Sequence, residues 1–353
     1  MNFSFNEFDY KVDLNRQREL FKDSFPETAG NPIQSKKHYM WKFHSLGTPP
    51  SWEYICENGS DLLGYYAALP YQYKIKNVIT RVGMVCDVMT SSSYRGKGIF
   101  TKLGRYSTQE LSNHVPFTMG YPIRSEVIPG HLKIGWDIAF DLPLYIKFLK
   151  SNSILKRYHL KLLYPLGNIF LKLYNSIVRQ NVDNEYSCHV SNSIDNIGDF
   201  ESFVEKWQTS VDNALIKEYS FYKWRFSAPS REYTFLTIKK GDNTIGLVVL
   251  RKIVKYDVPS LCLVDYMVTN DNEHCHGYIN HCLKNLAREQ KAEAIMIMMS
   301  KTSAKKYKLF SNGFLKSPFT FKLIIKNLTN QFSKEQLFDE NKWHLMWVDS
   351  DDL

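Results

Sequence analysis

The run Tyr94-Arg95-Gly96-Lys97-Gly98-Ile99-Phe100-Thr101-Lys102-Leu103 follows directly on an apolar stretch at 82–90. It reads as a strand, a glycine-rich turn and a helix. Glycines at 96 and 98 let backbone N–H groups approach a ligand with no Cβ in the way. The helix that follows turns its positive end to the same spot, so the turn is a cradle for an anion such as a phosphate. A Walker loop is excluded, because the GxxxxGK[ST] spacing is absent. A dinucleotide fingerprint is excluded too, because its third glycine would fall at Thr101.

The elements that must hold this turn are arranged twice. Tyr39-Met40-Trp41-Lys42-Phe43 is echoed by Tyr222-Lys223-Trp224-Arg225-Phe226. A glycine-bearing strand follows each, at Leu63-Gly64-Tyr65-Tyr66-Ala67 and at Ile245-Gly246-Leu247-Val248-Val249. Next comes a strand with an acid, around Asp87 and around Asp265. Helices are expected at about 102–113 and 278–290, and strands at 117–121 and 294–299. Short helices then end in Gly135-Trp136 and Gly313-Phe314. Offsets from the two tryptophans agree to within about seven residues, the mark of a duplicated unit. The second copy of the turn, Asn270-Asp271-Asn272-Glu273-His274-Cys275-His276-Gly277, lacks Arg-Gly-x-Gly and carries two acids. It is expected not to bind a pyrophosphate.

Length and composition agree with two units. The 353 residues exceed most single cores, and 44% hydrophobic residues are enough to fill two. A net charge of +9 favours an anionic partner. There is no zinc-finger or RRM pattern and no long basic block, so no nucleic acid is expected. The six cysteines form no CxxC pair, which suits a reducing cytoplasm, and Met1-Asn2-Phe3-Ser4 opens no apolar leader. No run is long and apolar enough to be a transmembrane segment. His274, Cys275, His276, His281 and Cys282 lie close together, but their spacing fits no common zinc site and no metal is expected.

The turn, Arg-x-x-Gly-x-x after a strand, resembles the pyrophosphate loop of the GNAT acyltransferase superfamily, Q/R-x-x-G-x-G/A, with Phe100 where Gly or Ala is usual. The duplication resembles double-GNAT proteins. Gly120-Tyr121-Pro122, Pro129-Gly130, Gly135-Trp136 and the late Trp…Asp-Ser-Asp ending resemble the bacterial double-GNAT acyltransferases of surface-polysaccharide synthesis. Ile123 stands where that subgroup usually has Asn. Some of these N-acylate nucleotide-linked amino sugars of the dTDP-3-amino-3,6-dideoxyhexose type. The resemblance implies an α/β fold with tandem GNAT-like domains, each a mostly antiparallel mixed sheet flanked by helices. The expected organisation is a GNAT domain at 1–149, a helical linker at 150–184, a degenerate GNAT-like domain at 185–330, and a terminal helix and strand at 331–353.

The resemblance also implies the chemistry, N-acyl transfer from acyl-CoA to the amine of a nucleotide-linked amino sugar. Pantetheine would pair with Val88, Met89 and Thr90. Backbone N–H groups of Arg95, Gly96, Lys97, Gly98, Ile99 and Phe100 would hold the pyrophosphate, with Thr101 adding a hydroxyl and Lys102 a charge. Asp87 and His131 are the candidate proton acceptors, and Tyr121 the candidate acid for the leaving thiolate. Arg124, Ser125 and Trp136 are the expected acceptor contacts. Trp41, Tyr222 and Trp224 could stack on a base or sugar, but core packing is the default reading of the two repeated tryptophans. Two other functions stay open. One is aminoacyl-tRNA-dependent or peptide transfer of the double-GNAT kind; the other is a non-catalytic acyl-CoA-binding scaffold.

Residues 150–183 interleave Lys150, Lys156, Arg157, His159, Lys161, Lys172 and Arg179 with Leu, Ile, Tyr and Phe. Pro165 and Gly167 split them into two amphipathic pieces. The preferred reading is a linker whose apolar stripes pack on both domains, the alternative a membrane-surface attachment. At the end, Ser333-Lys334-Glu335-Gln336 has the capping-box pattern, a strand is expected over 343–348, and the acidic terminus should be solvated.

Overall fold

A computed structural model describes residues 3–47, 49–178, 185–269 and 273–350. The first half runs β1 (Ser4–Glu7), α1 (Tyr10–Ser24), α2 (Lys36–His44), β2 (Trp52–Asn58), β3 (Asp61–Ile75), β4 (Val78–Thr90), α3 (Ile99–Leu111), β5 (Phe117–Gly120), α4 (Ile128–Leu132) and β6 (Asp137–Phe148). Then come α5 (Asn152–Arg157) and α6 (Tyr164–Ile177). The second half repeats the plan with β7 (Tyr186–Ser191), α7 (Phe200–Thr209), β8 (Asn213–Leu215), α8 (Tyr219–Arg225), β9 (Thr234–Lys240), β10 (Asn243–Lys255), β11 (Val258–Val268), α9 (Glu273–Glu289), β12 (Ala294–Met298), α10 (Lys301–Lys306) and β13 (Leu315–Asn327). The chain finishes with α11 (Lys334–Phe338) and β14 (Trp343–His344). The fold is mixed α/β, and every landmark of the sequence repeat falls on matching elements.

The two halves share one fourteen-stranded sheet, because each lends the other a strand. β6 leaves β5 and pairs antiparallel with β12 through Ala294↔Phe148 to Met298↔Leu144. β13 returns to pair with β5 through Ile324↔Gly120 to Asn327↔Phe117. The two visiting strands then pair with each other, Leu323 against Phe140 and Phe321 against Leu142. Backbone N–H and C=O groups at the junction are satisfied only across the halves. One apolar cluster accordingly runs through both, from Leu69 and Met119 to Leu261 and Ile297.

The repeated tryptophans close the arrangement. Their rings stack with centroids 5.3 Å apart and planes 15° from parallel. Trp41 Nε1–H donates to the Trp224 carbonyl and Trp224 Nε1–H to the Trp41 carbonyl, both at 2.8 Å. Such reciprocity is what a two-fold relation between duplicated units produces. Core packing is thus their role, as the default reading had it.

Two expectations about the ends of elements need correction. The strand over 343–348 is only two residues long: β14 pairs with β8, and a 3-10 turn follows at Trp347–Asp349. Nor is the acidic end wholly solvated. Asp349 is fully buried, accepting from the Tyr73 hydroxyl at 2.8 Å and from Met346 N–H at 2.8 Å, because its carboxylate caps that turn under the first half's sheet. The Ser333 capping box forms as expected.

Replacing Trp41 or Trp224 by Ala should each cost about 3–5 kcal/mol of unfolding free energy. The double variant should cost clearly less than the sum, because either change already breaks the shared stack. Urea denaturation followed by circular dichroism would measure this, and additive losses would contradict it.

Candidate active site

The glycine-rich turn is built as the sequence pattern requires. Gly96 and Gly98 both have φ of +77°, the left-handed region where a Cβ is strained, and no atom stands within 4 Å of a Cβ placed on Gly96. Gly98 is the N-cap of α3 and supplies no side-chain cap, so the first N–H groups of that helix face outward. The Thr101 hydroxyl donates to the Gly98 carbonyl at 2.9 Å. The turn is anchored from α1: Asp23 accepts from Ser92 N–H at 2.7 Å and from the Ser92 hydroxyl at 2.6 Å, bonds that hold its carboxyl below the usual range.

Beside the turn lies a cleft of about 870 Å³. Val88, Met89, Thr90, Arg95, Gly96, Gly98, Ile99, Phe100 and Thr101 line it on one side, and Arg124, Val127, Gly130 and Lys133 on the other. Nine of the eleven residues expected from the resemblance therefore meet here. Lys97 and Lys102 do not line the cleft; their ammonium groups lie over the rings of Tyr94 and Phe3 at 4.3 and 5.1 Å. Phe100 leans across onto α4: a Cβ on Gly130 would meet its ring at 2.6 Å, and the ring sits edge-to-face on His131. That packing accommodates a bulky residue where a small one is usual.

The strand before the turn opens as it approaches the cleft. β4 and β5 pair in parallel at only two positions, Gly83↔Thr118 and Met84↔Met119, and then separate. The far edge of 88–90 is left unpaired with β5, and a thioester arm can lie along it by strand addition. A bulge precedes this edge. Tyr65 faces Met89 while Ala67 faces Cys86, so Asp87 and Val88 together oppose Tyr66. Asp87 sits at φ +47° and turns its carboxylate to Lys42 Nζ, 2.9 Å away on α2.

A second cleft of about 330 Å³ continues from the first past Phe25, Val88, Arg124 and Val127. Asp87, Lys42, His131, Trp136, Tyr121 and Glu27 line it, and Arg231 joins them from the second half. His131 is nearly buried, and burial lowers its pKa below 6.5, so the ring is neutral at pH 7. Its Nδ1 is 3.0 Å from the Val127 carbonyl, which can only accept. Nδ1 therefore carries the proton, and Nε2 keeps a lone pair. Trp136 packs edge-to-face on His131, and its Nε1–H is buried with no acceptor among the described residues. Arg124 is ion-paired with Glu27 and donates to the Ser24 carbonyl at 3.2 Å. Ser125 opens the turn Ser125–Val127 and lines neither cleft.

Tyr121 lines the second cleft, yet its phenol is deeply buried. Burial first, and the charge of Asp349 second, push its pKa well above 10. A phenol held so firmly protonated is a weak donor to a thiolate, and this placement speaks against the acid role. Lys42 and Arg231 were missed by sequence reasoning. Lys42 stands inside the repeated Tyr-x-Trp-Lys/Arg-Phe string, a signal read as duplication rather than chemistry. For Arg231 no local pattern existed, since only the packing of the halves brings it here.

At the matching place in the second half the acid is buried. Asp265 is fully buried between Lys217 Nζ, at 2.6 and 2.7 Å, and the Tyr222 hydroxyl. Arg225, which corresponds to Lys42, instead donates to the Ser350 carbonyl at 2.9 Å. Residues 270–272 of the degenerate turn lie outside the described residues. Among the described residues no group of three or more His, Cys, Asp or Glu could hold a metal.

Comparison with known proteins accounts for the geometry of the first half. Residues 11–139 match the acetyltransferase (GNAT) domain. The matched residues contain the glycine-rich turn, both strands beside it and most of the lining of the two clefts. The match ends where β6 departs for the other half. A GCN5-related N-acetyltransferase from Anabaena variabilis ATCC 29413 shares the fold at a TM-score of 0.65 and 12% identity, over 93% of this chain and 74% of that one. A conserved protein of unknown function from Enterococcus faecalis V583, described as a probable N-acyltransferase, gives 0.66 and 10%, over 94% and 74%. A GCN5-related N-acetyltransferase from Kribbella flavida gives 0.61 and 11%, over 92% and 70%. A search of curated proteins finds no match.

Gly98→Val should weaken CoA binding at least tenfold, about 1.4 kcal/mol or more, by removing the left-handed cap. Isothermal calorimetry should find one CoA site per chain; two equivalent sites would contradict a pyrophosphate cradle confined to the first half. Arg95→Glu should raise the KM for acyl-CoA more than Lys97→Glu or Lys102→Glu, and the difference should shrink at high salt. Equal effects of the three reversals would show that the field, rather than cleft contact, sets affinity.

Proposed function

We propose that this chain N-acylates the amine of a nucleotide-linked amino sugar, with an acetyl or short hydroxyacyl group from acyl-CoA. The observation that carries the reading is the second cleft. It opens off the acyl-CoA cleft beside the bulge of β4, and it gathers Arg124 from the first half with Arg231 from the second. Two guanidinium groups suit a diphosphate, because each planar fork can donate a pair of hydrogen bonds to phosphate oxygens. The net charge of +9 suits two diphosphate-bearing substrates.

Acyl-CoA, when bound, supplies the activated thioester carbonyl. The backbone N–H groups of 95–100 and the open end of α3 would hold its pyrophosphate, and the free edge of 88–90 its pantetheine. His131 is the better proton acceptor of the two candidates. Its Nε2 is unprotonated at neutral pH and can take a proton from the attacking nitrogen, directly or through water. Asp87 is committed to Lys42, and this pair shapes the floor of the acceptor site. Trp136 offers its buried N–H to an acceptor oxygen. In this reading 1–149 is the catalytic unit, 150–184 a connector, 185–330 a degenerate copy that walls the acceptor site, and 331–353 a strap. The enzyme would work in the cytoplasm, where both substrates are made available.

His131→Gln should lower kcat by about 10²-fold or more while leaving CoA affinity near that of the wild type. Burial lowers the imidazole pKa, so the acid limb of kcat/KM should lie below the ordinary imidazole value of about 6.5 and vanish in the variant. A limb above 6.5 would assign the base elsewhere. Arg231→Ala should raise the KM of the acceptor and spare that of acyl-CoA. Thiol release should be compared among a dTDP-amino sugar, the same sugar lacking its amine, and peptides with a free N-terminus. Faster turnover of the peptides would remove the sugar and leave the acyl-CoA site standing. CoA binding with no turnover on any amine would favour a scaffold.

A further inference from the structure

The helix α6 is built inside out. Its protein-facing side is polar: Asn168 Oδ1 accepts from Ser151 N–H at 2.9 Å and from the Ser151 hydroxyl at 3.0 Å, and Asn168 Nδ2 donates to Asn152 at 2.9 Å. Asn175, one heptad on, donates to the Phe148 carbonyl at 2.9 Å. Gly167 lets the helix seat directly on Ser151, for a Cβ there would meet the Ser151 hydroxyl at 2.5 Å. The outward side, with the turn before it, carries Leu162, Leu166, Ile169, Phe170, Leu173 and Ile177, each between 55% and 94% exposed. A packed linker would bury this stripe and expose its asparagines. The linker reading of these apolar residues is therefore corrected: they do not pack on either half. Arg179, grouped with them from sequence, lies outside the described residues.

The segment that carries the stripe has charges of one sign, and Asp257, which shares a pocket with Arg157, lies at the α5 end. From 142 to 182 the chain has no Asp or Glu, while Lys150, Lys156, Arg157, Lys161 and Lys172 are all exposed. The nearby Glu293 is engaged by Ser153 N–H at 2.8 Å. An apolar face rimmed by unbalanced cations matches an anionic bilayer surface, where acyl chains receive the leucines and phenylalanine while headgroups neutralise the lysines. A second copy of the chain fits less well. A closed two-fold contact would set the same patch against itself and bring like charges together. At fourteen residues α6 is too short to span a bilayer, and among the described residues no helix is long and apolar enough to cross one.

We propose that α5 and α6 form an interfacial anchor that lays the exposed face of α6 onto an anionic membrane leaflet. The test is sedimentation of the full chain with vesicles of phosphatidylcholine alone, and with vesicles containing about a quarter phosphatidylglycerol. Binding to the anionic vesicles should be about tenfold or more the stronger, and should weaken as salt rises. Phe170→Glu combined with Leu173→Glu should abolish it, and Lys156→Glu with Lys161→Glu should reduce it about tenfold or more. Both variants change exposed side chains, and retained CoA affinity would show them folded. Failure of the wild type to bind either vesicle would overturn the proposal, as would equal binding to both. A wild-type dimer in light scattering that becomes monomeric in the Phe170 variant would give the face to a second copy instead.

Discussion

The exchange of β6 and β13 is the constraint on which the rest of the molecule depends. A strand that leaves its own half cannot complete its hydrogen bonds there, so neither half can close its sheet alone. The four adjacent strands β5, β13, β6 and β12 turn two duplicated units into one sheet, and their order fixes how the halves face each other. The Trp41–Trp224 stack lies across that arrangement and uses the only donor each indole has. Because the junction is rigid, Arg231 can be delivered to a cleft whose other walls belong to the first half. A flexible tether between separate domains could not hold a guanidinium at such a place without an ordering cost on each encounter.

Duplication also explains why one half keeps an open cleft and the other does not. The two halves begin with the same strand, an acid near its end and a basic residue on the helix beneath. In the first half β4 bulges at Asp87 and parts from β5 after two paired positions. In the second, β11 also bulges, at Val264 beside Asp265, but β11 and β12 stay paired over four positions, Ser260↔Ala294 to Leu263↔Ile297. Asp265 is drawn inward by Lys217 and Tyr222. A charge buried that completely persists only because it is paired and hydrogen-bonded, and the pairing holds its carboxyl far below the usual range. The buried pair acts as an internal brace, and the C-terminal segment packs beside it, with His344 Nε2 3.7 Å from the Asp265 carboxylate.

Much of this was legible in the sequence, for reasons that can be named. The left-handed glycines at 96 and 98 are written in residue type, since few other residues tolerate that backbone. The repeat was legible because Trp and Tyr are rare enough for their spacing to be informative. The strand exchange was not, because β6 and β13 have the same apolar character wherever they pair, and register carries no local signature. Arg231 was hidden for the same reason. The face of α6 was misread because apolar periodicity reports that a helix has a stripe, not which way the stripe points. Only the asparagines at 168 and 175, seven apart and on the opposite side, carried that information.

Asp87 and His131 are held in different ways. A carboxylate in the left-handed bulge is aimed by backbone geometry, and Lys42 neutralises it at 2.9 Å. To accept a proton it would first have to give up that partner. The imidazole is aimed by the bond from Nδ1 to the Val127 carbonyl, and the rings of Phe100 and Trp136 pack against it. Desolvation disfavours the imidazolium. Phe100, the residue that departs from the usual loop pattern, belongs to the same packing. By leaning off the turn onto Gly130 and His131, it leaves the turn clear and keeps the imidazole in an apolar setting.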